Sequence, residues 1–426
     1  MKHFLIIIST LLLLSSCSKD HDDNNVVARR TVIVYTSAEN NLNGYGAHSR
    51  NMADIIKGRQ SVADNENLIV FVDRAKSSDG TELPFIVRIN KNKNKPVDTL
   101  YKYKEDFFAS DPVKFKEVLR WILNNCPATE DYGLVLWGHA DGWVMEDETY
   151  TPSANAPRRG YGVDNGVNNA YSDYGRWMNI PTLRQSLESL GIKWKYIFSD
   201  CCNMQTAEVA YELKDVCEYL IASPAEITGI GAPYTQIVPD LFIHDDKQMY
   251  KSIIDDYHAQ ITDSYGNLSP TGNCQLPISV IISSEMQELT NATRAILPTI
   301  ANNVTAASMH DKIYYLNQNS IMYYPERDNV QYDMLHVISA ALGTESSEYT
   351  TWLESFKRAV PYMQPSMRWH SNCVDFSYFN TATTSQQGCV SMFFPLSRYT
   401  SAILPYNEHI KQLRWYQAVG WSSVGW

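Results

Sequence analysis

Short runs of β-branched and other apolar residues recur along the chain, each closed by a polar turn and followed by a stretch with helical spacing. That alternation constrains the fold more than any other feature, because strands separated by helices pair in parallel and need cover on both faces. Thr31-Val32-Ile33-Val34-Tyr35 and Leu68-Ile69-Val70-Phe71-Val72 are the first two runs, and their continuous apolar character marks strands buried on both sides. Residues 52–56 read as part of a helix between them, and residues 85–89 as a shorter strand or hairpin arm. Asp111-Pro112 opens a helix by capping, with Val113, Val118, Leu119, Ile122 and Leu123 on one stripe. Leu134-Val135-Leu136-Trp137, Tyr196-Ile197-Phe198 and Tyr219-Leu220-Ile221-Ala222 are predicted as further core strands, with helices over residues 180–190 and 206–213. The expected fold class is α/β, a mainly parallel sheet with helices on both faces. Beyond about Pro239 the pattern is more helical, apart from a late strand at residues 388–395.

The N-terminus reads as an address rather than as structure. Lys2 and His3 precede an unbroken apolar run over residues 4–14, too short to cross a bilayer. It ends in Leu14-Ser15-Ser16-Cys17, which resembles the bacterial lipobox, where the cysteine is acylated and becomes the new N-terminus. The expected division is a lipoprotein signal peptide at 1–16, a polar tether at 17–29, the core at 30–240 and a C-terminal region at 241–426. The strand near 388–395 is a candidate to return to the core sheet. An exported lipoprotein of a Gram-negative envelope, attached to the membrane through Cys17 alone, is the location this implies. A net charge of −11 without a basic stripe argues against nucleic acid or an anionic membrane surface as partner. Setting Cys17 aside from the eight cysteines leaves an odd number, so at least one thiol stays unpaired. The spacings fit no zinc framework.

Ligands of open α/β sheets collect at the carboxyl ends of the strands. Two of those ends carry reactive side chains: Gly138-His139-Ala140-Asp141 and Ser199-Asp200-Cys201-Cys202-Asn203. The thiolate is the reactive form of cysteine, favoured by a nearby imidazole and by a helix N-terminus, and Cys202 is expected to receive both. His139 then acts as general base and returns the proton to a leaving amine, while the backbone N–H groups of Ala140 and Cys202 hold the oxyanion. Taken singly, a cysteine or histidine at a strand end reads more readily as a packed core residue.

Several ordered blocks together resemble the clostripain-like cysteine peptidases, relatives of caspases, legumains and gingipains. Residues 34–42 are similar to that family's first strand and polar turn, and residues 132–143 to its histidine strand. Phe198-Ser199-Asp200-Cys201-Cys202-Asn203-Met204 with Glu208-Val209-Ala210-Tyr211-Glu212-Leu213 resembles its nucleophile segment. Residues 221–226, 231–234 and 388–395 resemble later blocks.

The resemblance implies a caspase-like fold and a cysteine peptidase acting on peptide or protein substrates, with Cys202 as nucleophile and His139 as its base. Cys201 falls at a small-residue position, where a disulfide to Cys202 is the sharper alternative to simple packing. Ala140 stands where relatives usually have glycine, so its methyl is expected to narrow the site or shift the backbone. Asp200 matches an acidic position that selects Arg or Lys at P1, with helix capping as its other reading; Glu226 is a second candidate for that pocket. Arg158-Arg159, in the long polar stretch after the histidine, is the candidate for autoprocessing. No cofactor is expected. Calcium, which some relatives use, has only Asp22-Asp23 and Asp245-Asp246 as weak candidates. The competing reading is a catalytically silent surface lipoprotein that keeps this fold to bind a peptide or protein.

Overall fold

The predicted apolar runs become the centre of one nine-stranded sheet. The computed structural model describes residues 27–75, 82–145, 160–166, 175–265, 275–309, 311–315, 330–366, 369, 384–400 and 405–426. In chain order the strands are β1 (Ala28–Ala38), β2 (Asn67–Arg74), β3 (Phe85–Ile89), β4 (Val97–Lys102), β5 (Ala128–Trp137), β6 (Tyr161–Asp164) and β7 (Arg176–Met178). They continue with β8 (Trp194–Asp200), β9 (Cys217–Ala222), β10 (Ile278–Ile282), β11 (Tyr332–Asp333), β12 (Tyr362–Gln364) and β13 (Ser391–Met392). Across the main sheet the order is β12-β10-β9-β8-β5-β1-β2-β3-β4. The five central strands, β9 to β2, run parallel, and antiparallel strands close both margins.

Helices α1 (Asn41–Gly44), α2 (Ala47–Gly58), α3 (Pro112–Asn125), α4 (Ile180–Glu188), α5 (Ala207–Leu213), α6 (Tyr234–Asp240) and α7 (Asp246–Tyr265) connect or cover these strands. Successive strand residues point to opposite faces, and each face finds its own helices. Ile33, Tyr35, Leu134 and Leu136 pack with Phe115, Val118, Leu119 and Ile122 of α3 and with Leu183 and Leu187 of α4. Val32, Val34 and Val135 pack instead with Ile237 and Val238 of α6 and Ile253, Ile254 and Tyr257 of α7. Each of these aliphatic side chains, removed from water, contributes about 1.5–3 kcal/mol. As predicted, Asp111 caps α3, accepting from the N–H groups of Val113 and Lys114 at 2.9 and 3.0 Å.

Four details depart from expectation. β1 begins at Ala28, inside the expected tether, because Arg29 N–H donates to the Asn65 carbonyl at 2.9 Å and extends the pairing. β10 and β12 bring the region beyond residue 240 into the main sheet, so the core does not stop there. The late segment is a strand only at Ser391–Met392 and pairs with β11 in a separate two-stranded sheet. It is held there by Gln205, whose carbonyl accepts from Ser391 N–H at 3.0 Å, and by Ser279, whose hydroxyl donates to the Cys389 carbonyl at 2.8 Å. The long polar stretch also contains a two-stranded hairpin of β6 and β7. Among the described residues, no helix is long and apolar enough to cross a membrane.

Candidate active site

Sheet register decides which side chains meet. Thr36 of β1 pairs with Trp137 of β5, and Trp137 pairs with Asp200 of β8, so β5 and β8 end on one row beside Thr36. His139 and Cys202 each lie two residues beyond that row, on neighbouring strands, and leave the sheet at the same level. Gly138 makes this exit possible: its φ is +145°, and a Cβ there would lie 2.9 Å from the Ser37 carbonyl oxygen. Both His139 and Cys202 line a cavity of about 340 Å³ at the carboxyl ends of the strands. Asn41, Leu42 and Tyr45 supply part of its wall, and residues of the 226–231 loop another part.

The imidazole is oriented by a residue that sequence reasoning did not single out. His139 Nε2–H donates to Asn41 Oδ1 at 2.6 Å. The polar turn after β1 was recognised as a block, but no local pattern says which of its amides reaches the end of β5, the neighbouring strand that lies far along the chain. The sulfur of Cys202 accepts from the Ile227 N–H at 3.3 Å. Helix α5 begins only at Ala207 and is capped by Thr206, whose hydroxyl accepts from Val209 N–H at 3.0 Å. Cys202 therefore precedes the helix rather than opening it, and the Ile227 loop amide reaches its sulfur. Asn203 takes a left-handed φ of 59° and fastens this turn, its N–H donating to the Ala225 carbonyl at 3.0 Å and its side-chain amide to Asp141 at 3.0 Å.

Cys201 turns the other way. Its thiol is buried and donates to the Leu136 carbonyl at 3.2 Å, so the adjacent sulfurs face the core and the cavity respectively. Burial, reinforced by Asp200, pushes the Cys201 thiol up well above the usual range. This is the packed small residue of the simpler reading. Ala140 also departs from expectation: its methyl packs in the core, it has no positive φ, and it does not line the cavity. The residue pairs with Tyr161 across a short antiparallel bridge, away from the cavity wall.

Asp200 lines the cavity while being 95 % buried, and it does not cap α5. Tyr257 O–H donates to its Oδ1 at 2.5 Å; Tyr234 O–H and the Ala232 N–H donate to its Oδ2 at 2.8 and 3.2 Å. Burial raises its pKa above the ordinary carboxylate value, and the three donors oppose that rise. Gly231 lets the loop pass close by: with φ +70°, a Cβ there would be 3.3 Å from Asp200 Oδ2. Tyr257 lies on α7, far along the chain, and nothing local in the sequence announces it. Glu226 lines the same cavity. Arg158, Arg159, Cys17 and the Asp22-Asp23 pair lie outside the described residues. Asp245 caps its helix by accepting from Gln248 N–H, and Asp246 accepts from Tyr219 O–H and pairs with Lys195. Among the described residues, Glu39, Asp73 and Asp164 each place an oxygen within 4.8 Å of the others.

A thiol and an imidazole delivered to one cleft by adjacent parallel strands define the class of caspase-like cysteine peptidases. The chain belongs to the Clostripain family, whose model matches residues 34–426, and it is accordingly a cysteine peptidase. It is similar to a secreted cysteine protease from Bacteroides thetaiotaomicron solved with an irreversible peptide inhibitor, at 27 % identity and TM-score 0.71, covering 93 % of this chain and 100 % of that one. An inactive zymogen protease from Parabacteroides distasonis, at 24 % identity and TM-score 0.67, shares the fold over 92 % of this chain and 98 % of its own. So does a second secreted cysteine protease from Bacteroides thetaiotaomicron, at 20 % identity and TM-score 0.68, over 92 % and 99 %. No curated protein matches the chain.

Proposed function

We propose that this chain is an endopeptidase that works through a Cys202–His139 dyad and prefers Arg or Lys at P1. The observation that carries this reading is the shared cavity at two adjacent strand ends, with the sulfur and the imidazole on its wall. The Nε2–H bond to Asn41 sets the tautomer, making Nδ1 the nitrogen that accepts the thiol proton. The thiolate then attacks the peptide carbonyl carbon, and the Cys202 backbone N–H stabilises the oxyanion. As the C–N bond breaks, His139 returns its proton to the leaving amine; water, deprotonated by the same imidazole, releases the thioester. A P1 guanidinium or ammonium entering the cavity meets the carboxylate of Asp200, held by two tyrosine hydroxyls and one amide, with Glu226 nearby.

A panel of fluorogenic peptides differing only at P1 tests this reading. Arg and Lys substrates are expected to be cleaved at least about tenfold faster than neutral ones, with no cleavage by Cys202→Ala. Equal rates for neutral and basic P1 residues would remove the preference, and full activity in Cys202→Ala would remove the dyad. The same specificity makes Arg158-Arg159, between β5 and β6, the bond this enzyme would cut in itself. We also infer attachment to a Gram-negative envelope through lipid on Cys17, supported by Leu14-Ser15-Ser16-Cys17; loss of fatty-acid labelling in Cys17→Ala is the expected result.

A further inference from the structure

Behind the cavity, the loop that carries His139 and the loop that carries Cys202 are joined to each other. Asp141 lies two residues past His139 and Asn203 one residue past Cys202, and the Asn203 side-chain amide donates to Asp141 Oδ1 at 3.0 Å. Both residues are buried, and neither lines the cavity, so the bond stands apart from a peptide bound there. Each end is fastened to a different part of the fold. The Asp141 N–H donates to the Gly160 carbonyl at 2.9 Å, and the Gln331 side chain donates to the Asp141 carbonyl at 3.4 Å. The Asn203 N–H donates to the Ala225 carbonyl at 3.0 Å, and the left-handed φ of 59° at Asn203 turns the chain beyond Cys202. The two backbones also meet: Gly142 has φ +66°, and a Cβ on it would stand 2.5 Å from the Asn203 carbonyl oxygen. Parting the loops is therefore costly, because it leaves buried polar groups short of a partner.

We propose that Asp141 and Asn203 are positioning residues, whose bond is a strut that sets the spacing of thiol and imidazole; this role rests on the Cys202–His139 reading. His139 lies beyond the last residue of β5, and Cys202 lies before the capped first turn of α5, so neither strand nor helix fixes their separation. Asn41 directs the imidazole and the Ile227 N–H reaches the sulfur, but those contacts run to α1 and to the 226–231 loop. The strut runs from one loop to the other. It holds the pair in register before a peptide arrives, where a displacement of about 1 Å costs roughly a hundredfold in rate. Because it touches no substrate, its loss acts on kcat and leaves KM nearly level.

The test is steady-state kinetics of the whole chain on a fluorogenic peptide that the parent cleaves, with Tm as the check of folding. Asn203→Gly removes the amide and still accommodates the left-handed turn; Asp141→Ala removes the acceptor. Each is expected to lower kcat about tenfold to a hundredfold with KM within about twofold of the parent. Asp141→Asn keeps an oxygen that accepts the same bond and should stay within about threefold of the parent kcat. The double variant Asp141→Ala with Asn203→Gly should fall no further than the worse single one, because one bond is lost only once. If Asp141→Ala does not fold, Asn203→Gly compared with Asp141→Asn decides the matter. An unchanged kcat in folded Asn203→Gly, a loss in Asp141→Asn as large as in Asn203→Gly, or losses that multiply in the double variant would overturn the role. Cleavage by Cys202→Ala would overturn the dyad and the strut with it, whereas an inactive Cys202→Ala beside a fully active Asn203→Gly would overturn the strut alone.

Discussion

Asp200 lies where water scarcely reaches, and on the proposed P1 reading its carboxylate ties specificity to pH. Burial raises its pKa, so as pH falls it is neutralised earlier than an exposed aspartate would be. The attraction for a P1 cation is present above the raised pKa and lost below it. The KM for an Arg substrate is therefore expected to climb on the acid side, while that for a neutral-P1 substrate stays level; parallel profiles for the two would contradict this. Asp200→Asn should lower kcat/KM for Arg or Lys substrates about a hundredfold and leave neutral ones nearly unchanged, as a substrate panel would read. On the proposed dyad, Asn41 acts through His139. Asn41→Ala should lower kcat about tenfold to a hundredfold with little change in KM, because a misdirected imidazole costs rate more than binding. The shared placement of Cys202 and His139 on one cavity was legible in the sequence because each follows an apolar strand at the same end of the sheet. Asn41, Tyr234 and Tyr257 were not, because their roles arise from contacts between elements that the chain brings together only on folding.

Among the elements, α5 links the nucleophile turn to the C-terminal segment. Its buried Glu208 accepts from the Phe393 N–H at 2.8 Å, and burial, partly opposed by that bond, pushes its pKa up to about 7. A carboxyl whose folded pKa is raised binds its proton more tightly in the folded chain. Its stabilising contribution is full below about 4.5 and is lost as pH rises through about 7. Relative to Glu208→Gln, the parent should thus lose up to about 3 kcal/mol between pH 4.5 and 7.5, seen as a falling Tm difference; pH-independent melting differences would contradict this. Thr206→Ala should remove the cap of the same helix at a cost of about 1 kcal/mol, read by denaturant unfolding. At this scale the sequence was informative where strands are apolar throughout, as in β1, β2, β5 and β8. It was poor for β4, a half-polar margin strand, and for β6 and β7, short segments in a polar stretch whose pairing depends on the register of the sheet beside them.

For the whole molecule, one arrangement underlies everything: parallel strands in the order β9-β8-β5-β1-β2 bring two reactive side chains to one opening and set acidic groups at and behind it. The C-terminal region belongs to that arrangement, since β10 and β12 close one margin of the sheet. The most direct measurement is covalent labelling with an irreversible electrophilic peptide bearing Lys at P1, the adduct located by mass spectrometry. A single adduct on Cys202, formed much more slowly in His139→Ala and suppressed by an Arg substrate, is the predicted result. Labelling of another cysteine, or an unchanged rate without the imidazole, would contradict the account.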